Sequence, residues 1–259
     1  MNILVLLKMV PDVVEELELA PDGKGLDADA LRMIPNESDG HAVEEALLLK
    51  EHYGGKVTVV GIDAPEIDDA LFTALASGAD RAVKITDAGE NLTTRMASEI
   101  LADVLTNGPG LLPADLILTG TQANDDLDGL VAALLAHKLK MPYLGIVTKV
   151  TPDASGKGAT VIREYPAGFR GEFELALPAA LGIQAAEKPP RYVPVAKVRA
   201  AMKTQKIETI AASGDAGAAM VEILEMNKPV STGRAEMLEG SPEEVAGKLA
   251  KMLADRGLV

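Results

Sequence analysis

From the N-terminus to residue 139, short apolar runs alternate with stretches of helical periodicity. Asn2–Lys8 reads as a first strand, and the PDGKG within Val13–Asp27 predicts an excursion with a turn. His41–Tyr53 sets Ala42, Ala46, Leu49 and Tyr53 on one helical face, with Val43 and Leu47 beside them. Lys56–Ile62 is β-branched and nearly all apolar, as strands buried on both faces are. Pro65–Ser77 predicts a second helix ended by Gly78, and Arg81–Ile85 a short strand. Leu92–Leu105 repeats Met96, Ile100 and Val104 at intervals of four, Ala114–Thr119 is another buried strand, and Asp128–Leu139 another helix. Strand and helix repeating in this order require parallel strands joined by crossover helices, so the expected fold class is α/β with a doubly wound parallel sheet.

Beyond this point the period changes. Thr160–Tyr165 and Phe169–Leu177 flank a turn at Pro166–Gly168. Phe169, Phe173 and Leu175 alternate with Arg170, Glu172 and Glu174, which predicts a half-exposed antiparallel hairpin. Ala179–Ile183 is expected to return to the sheet, and Pro189, Pro190 and Pro194 break regular structure after it. Residues 211–220 are rich in Ala and Gly and read as a linker. Ser241 as N-cap, Pro242 at the first helical position and Glu244 completing a capping box predict a last helix, with Val245, Leu249, Met252 and Leu253 on one face. Such a face has to be buried, either on the chain's own body or on a partner. The organisation expected is one domain over 1–210, including the hairpin 160–177, followed by a linker and helix over 211–259.

Composition narrows the partners more than the fold. The formal net charge of −14 repels phosphate backbones and anionic lipids, which argues against nucleic acid and membrane surfaces. With no Cys there is no disulfide framework, thiolate metal site or Cys nucleophile, which fits a reducing, cytoplasmic setting. The opening MNILVLLKMVPD lacks a basic flank and a cleavage site and reads as a strand rather than a leader.

In a doubly wound sheet, ligands bind outside the C-terminal strand ends. Here those ends carry Leu6–Asp12, Gly61–Pro65 and Gly120–Asp128. The last, GTQANDDLD, follows a buried strand and opens a helix, where free backbone N–H groups favour a phosphate. Neither GxGxxG nor GxxxxGK[ST] occurs. Asp125, Asp126 and Asp128 fit helix N-capping, with a carboxylate pair for acid/base work as the rival reading. His41, His52 and His137 fall in predicted helices at no metal-ligand spacing, and the ten Met read as core filler. Lys8 stands either at the mouth of a pocket or in solvent. Lys197–Lys206 is a basic patch in an acidic chain and reads as a solvated helix face.

Several segments together resemble the β subunit of electron transfer flavoproteins: KMVPD (Lys8–Asp12), HAVEEALLLKE (His41–Glu51), TALASGADRA (Thr73–Ala82), DLILTGTQANDD (Asp115–Asp126), and ELALPAALGI with EKPPRY (Glu174–Ile183, Glu187–Tyr192). They stand in the family's order across most of the chain. The resemblance implies a Rossmann-like, adenine-nucleotide-binding subunit in a heterodimer whose α subunit holds the redox FAD. It implies electrons arriving from flavin dehydrogenases of the acyl-CoA dehydrogenase kind and leaving to a quinone oxidoreductase, with no catalytic residue in this chain. It further implies an AMP of structural role here, or, in the electron-bifurcating branch, a second FAD. The site carried over is Leu6, Asn36, Glu37, Ser38, Asp39, Ile62, Gly120, Thr121, Gln122, Ala123, Asn124, Asp125, Asp126, Gly129, Leu130 and Val131. A partner loop over 187–203 would use Arg191, Tyr192 and Val195.

The chain departs from the family pattern at that site. Gly129, Leu130 and Val131 stand where an amide and a hydroxyl are usual, and Glu37 adds a negative charge, so AMP binding that is weak, altered or lost is expected. The Thr/Ser-containing signatures of the bifurcating branch are missing, which disfavours a second FAD. Two readings from other classes remain. One is a stand-alone adenine-nucleotide regulatory protein of the universal-stress type, whose glycine-rich loop is absent. The other is a hydrolase using Asp125 and Asp126, for which no nucleophile is evident.

Overall fold

The computed structural model describes residues 1–89, 92–213, 221–230, 233 and 235–259. Its strands are β1 (Asn2–Leu7), β2 (Met9–Pro11), β3 (Met33–Pro35), β4 (Lys56–Ile62), β5 (Arg81–Thr86), β6 (Leu116–Gly120), β7 (Tyr143–Pro152), β8 (Gly158–Glu164), β9 (Arg170–Ala176), β10 (Ala179–Ile183) and β11 (Ile207–Ala211). The helices are α1 (Glu37–Tyr53), α2 (Ile67–Ser77), α3 (Thr94–Asn107), α4 (Val131–Leu139), α5 (Val195–Thr204) and α6 (Pro242–Asp255). A nine-stranded sheet runs in the order β11-β5-β4-β1-β6-β10-β7-β8-β9. From β11 to β7 every pairing is parallel, and β8 and β9 continue the sheet as an antiparallel extension.

The sheet is doubly wound, as the alternation of strand and helix predicts. Along β1, Ile3, Val5 and Leu7 join one buried cluster with α1 and α2, whereas Leu4 and Leu6 join a second with α3 and α4. Successive side chains of a strand point to opposite faces, so each apolar central strand serves two helical layers at once. The switch in direction falls between β1 and β6, since β4 and β5 lie to one side and β10 and β7 to the other. That switch sets the cleft.

Differences from the expected elements have local causes. The second helix begins at Ile67, not Pro65, because Glu66 is left-handed (φ 65°) and its carboxylate accepts the Met33 N–H at 3.1 Å. The next begins after Thr93, whose hydroxyl accepts the Met96 N–H. Strand β7 is longer than any predicted strand, yet Ile146 at φ 58° and a register shift between Val147 and Lys149 hide its alternation. The ribbon β2–β3 and the edge strand β11 depend on partners distant in sequence. The hairpin stands, but Phe169 lies outside it and is 72% exposed, and Tyr53 leaves the buried face of α1 and is 51% exposed. The Ala/Gly-rich stretch begins inside β11, and its residues 214–220 lie outside the described set.

Beyond the sheet, the chain passes back along the early excursion, where Met226 N donates to Gly23 O at 2.8 Å and Lys228 pairs with Glu16 and Glu18. The last helix carries the predicted capping box: Ser241 Oγ accepts from Glu244 N, and Glu244 Oε2 accepts from Ser241 N at 2.8 Å. None of its residues is buried. No helix among the described residues is long and apolar enough to cross a membrane.

Leu181 is fully buried in β10, between β6 and β7. Leu181→Ala is expected to lower unfolding stability by about 2–5 kcal/mol, read by denaturant titration.

Candidate functional site

β1 and β6 part at the switch point, and α1 spans the gap between their ends with a single carboxylate. Asp39, in the first turn of α1, is buried; its Oδ2 accepts the Lys8 N–H at 2.9 Å and its Oδ1 accepts the Gly120 N–H at 2.6 Å. These donors follow the last rungs of two neighbouring parallel strands, so one side chain extends both. Asn36 and Ser38 reinforce the join: Asn36 Nδ2 at 3.0 Å and Ser38 Oγ at 2.7 Å both donate to the Gln122 carbonyl. Gly120 is required by this proximity, because a Cβ there would overlap Ser38 Oγ and lie 2.8 Å from the backbone nitrogen of Asp39. Thr121 continues the backbone ladder by donating its N–H to Ile183 O at 2.9 Å, and its hydroxyl accepts from Ile146 N.

The loop then turns outward. Ala123 is buried and accepts the Leu127 N–H, while Asn124 is exposed. Lys8 reaches across the mouth, with Nζ 2.7 Å from Asp125 Oδ1 and 2.9 Å from Asp126 Oδ2. Burial pulls the Lys8 ammonium down, but hydrogen bonds and attraction from the two aspartates outweigh it and hold its pKa above the usual lysine value. The N-capping reading of the aspartates is therefore corrected. Leu130 occupies the cap position of α4 without a side-chain cap bond, Asp128 Oδ1 accepts the Leu130 N–H in a turn before the helix, and Asp125 and Asp126 bind Lys8. A bridging ammonium also suits holding a loop better than shuttling a proton.

Leu6 and Ile62 contribute to the apolar floor on the α3–α4 side, and Glu37 is exposed in the first turn of α1. Gly129 turns at φ 60° against the Thr121 carbonyl, and Val131 opens α4. Leu127 and Leu130 are exposed at this mouth, 66% and 48% respectively. The structure thus brings Asn36, Ser38 and Asp39 against Gly120 and Gln122, with Lys8 tied to Asp125 and Asp126, although the first turn of α4 offers a phosphate only backbone N–H groups. With Lys8 already shared by two carboxylates, these residues fit an adenylate phosphate poorly. Among the described residues, no group of three or more His, Cys, Asp or Glu could hold a metal ion.

The three expected partner-loop residues separate. Tyr192 and Val195 are 85% and 60% exposed. Arg191 turns inward, donating to Glu44 and Glu51 of α1. Sequence reasoning missed these acids, and the available signal was an adjacent Glu pair, Glu44–Glu45, inside an otherwise apolar stretch of helix.

Burial pushes the Asp39 carboxyl up to about 6, against the backbone N–H groups of Lys8 and Gly120, the Asn36 side chain and the Lys8 charge, which favour the ionised form. The folded chain therefore binds this proton more tightly than the unfolded chain, where an aspartate titrates near about 3.9. The resulting contribution to stability is complete below about pH 4 and is lost as pH rises through about 6. Asp39→Ala is expected to lose about 2–4 kcal/mol at neutral pH, since two inward N–H groups lose their acceptor. It is also expected to flatten the stability profile between pH 4 and 6, as read by urea titration across pH.

A family model described as the electron transfer flavoprotein domain matches residues 25–215. The electron transfer flavoprotein subunit beta of Methylophilus methylotrophus is 30% identical over 98% of both chains. That of Syntrophomonas wolfei is 33% identical over 98% of this chain and 96% of its own. A protein of Acetobacterium woodii named caffeyl-CoA reductase-Etf complex subunit CarD is 30% identical over the whole of both. With the model covering most of the parallel sheet and these similarities running the length of the chain, the protein belongs to the electron transfer flavoprotein family, among its β subunits.

Proposed function

We propose that this chain is the scaffold half of a heterodimer: it docks an α subunit carrying FAD and helps receive electrons from flavin dehydrogenases and deliver them to a quinone oxidoreductase or another acceptor. The observation that carries this reading is α6, a doubly capped amphipathic helix with Val245, Leu249, Met252 and Leu253 along one side and no buried residue. A helix of this kind is stabilised chiefly by packing that side against something else. In this reading residues 211–259 form an arm lying on the α subunit, and residues 1–210 form the nucleotide-type body. The Acetobacterium relative, named as part of a reductase–Etf complex, supports work inside a larger redox assembly.

FAD in the α subunit supplies the redox chemistry. This chain contributes shape and charge: the rigid sheet, the arm, and an exposed patch of Tyr192 and Val195 beside the basic helix α5 for the electron donor. Its own cleft is closed by Asp39 and by the Lys8–Asp125–Asp126 bridge and performs no bond-making, which disfavours the hydrolase reading. An adenylate in that cleft would rely on backbone N–H groups, so AMP is held weakly. A second FAD, as in the bifurcating branch, meets the same shortage of donors. A free-standing nucleotide sensor would leave α6 without a surface to bury it.

Co-expression with an α subunit is expected to give a yellow heterodimer. Denaturation should release about one FAD and far less than one AMP per heterodimer; a monomer that stays colourless with every α partner tried would sink the reading. Leu249→Glu is expected to weaken the heterodimer at least about tenfold, as removing a buried anchor does. The same change should alter the stability of the isolated chain by no more than about 0.5 kcal/mol, because the position is exposed there.

A further inference from the structure

The segment leaving β10 carries the exposed patch, and it is tied down by one face of α1. His41 Nδ1 accepts the Ala186 N–H at 3.2 Å. Glu45 divides its carboxylate, with Oε2 accepting the Glu187 N–H and Oε1 accepting the Val150 N–H of β7, each at 3.2 Å. Glu44 accepts the Arg191 N–H at 3.0 Å and the Arg191 guanidinium through Nε and Nη2, the latter at 2.8 Å. Glu51 takes the remaining arm of that guanidinium at 2.7 Å. Positions 41, 44 and 45 are neighbours on a helix surface, so these acceptors form one stripe.

The stripe is chemically expensive. Glu44 and Glu45 are only 4% and 2% exposed. Buried carboxylates are tolerated when paired or richly hydrogen-bonded. Glu44 has its partner in Arg191. Glu45 has two backbone donors and faces Lys149 of β7 and Glu187 of the tied segment, with His41 and Glu44 on its own helix; burial pushes its carboxyl up to about 7. For packing alone, Leu or Met would serve better at both positions. What the acids supply is acceptors for N–H groups in a segment where Pro189 and Pro190 interrupt regular pairing.

We infer that His41, Glu44 and Glu45 are positioning residues for donor docking: they fix the root of the segment 186–191, so that Tyr192, Val195 and the basic helix α5 meet the electron donor in one orientation. The inference rests on the electron-carrier reading proposed above. Helix α5 carries Lys197, Arg199 and Lys203 and no acid, on a chain of net charge −14, so the surface being aimed fits a donor with an acidic face.

The test uses the heterodimer with Glu44→Gln, Glu45→Gln and, as a variant that keeps the charge, Arg191→Lys. Amide hydrogen exchange at Ala186, Glu187 and Arg191 and through 192–204 should speed up about tenfold or more. Exchange in β1, β4 and β6 and the FAD content should stay as in the wild type. With a purified acyl-CoA dehydrogenase reduced by its acyl-CoA as donor, KM for the dehydrogenase should rise about tenfold with little change in kcat. Unchanged exchange in the segment, or equal loosening of the whole sheet, would overturn the inference. So would a loosened segment with an unaltered KM. A wild-type heterodimer that accepts no electrons from the dehydrogenase would count against that donor and the docking role together, while the exchange arm would still decide whether the stripe holds the segment.

Discussion

Asp39 is the interaction on which the remainder of the site depends. Parallel strands that part at a switch point leave their last N–H groups without a neighbour, and an inward N–H lacking an acceptor is costly. One carboxylate from the start of α1 accepts from the ends of both β1 and β6, at Lys8 and Gly120. It stays there although burial disfavours its charge. The neighbouring features follow from that geometry: Gly120 must lack a side chain, Asn36 and Ser38 come to rest against Gln122, and Lys8 is aimed at the loop that carries Asp125 and Asp126.

The central sheet was legible because burial on both faces leaves an unmistakable apolar run, as in Lys56–Ile62, and because α2 repeats its buried positions with helical period, whereas α1 buries residues 42–49 without a break. Strand β7 was not, since a left-handed Ile146 and a shifted register spoil the alternation on which recognition depends. Strand β11 is short and owes its place to the free edge of β5. Boundaries moved for reasons a local pattern cannot hold: Glu66 turns left-handed beside the Met33 N–H, which comes from a strand far back in the chain.

The site was legible at the level of segments but not of contacts. Resemblance brought Asn36–Asp39 and Gly120–Val131 to one place, whereas the join between Asp39 and Gly120 spans 81 positions and has no local signature. The three aspartates of the loop looked like helix caps because capping is the commonest use of Asp before a helix. Lys8, over a hundred residues earlier, claims two of them instead. Glu44 and Glu45 showed the same blind spot from the opposite side, as acidic residues on an apolar surface whose partners lie 147 and 142 positions away, respectively.

Helix α5 is bracketed by β10 and β11, and both belong to the same sheet. A stretch fastened at its two ends surrenders little conformational entropy when another molecule settles on it, because most of that freedom went when the sheet formed. Under the docking reading proposed above, such pre-organisation lets discrimination between rival donors rest on shape and charge at first encounter, with no folding step on association.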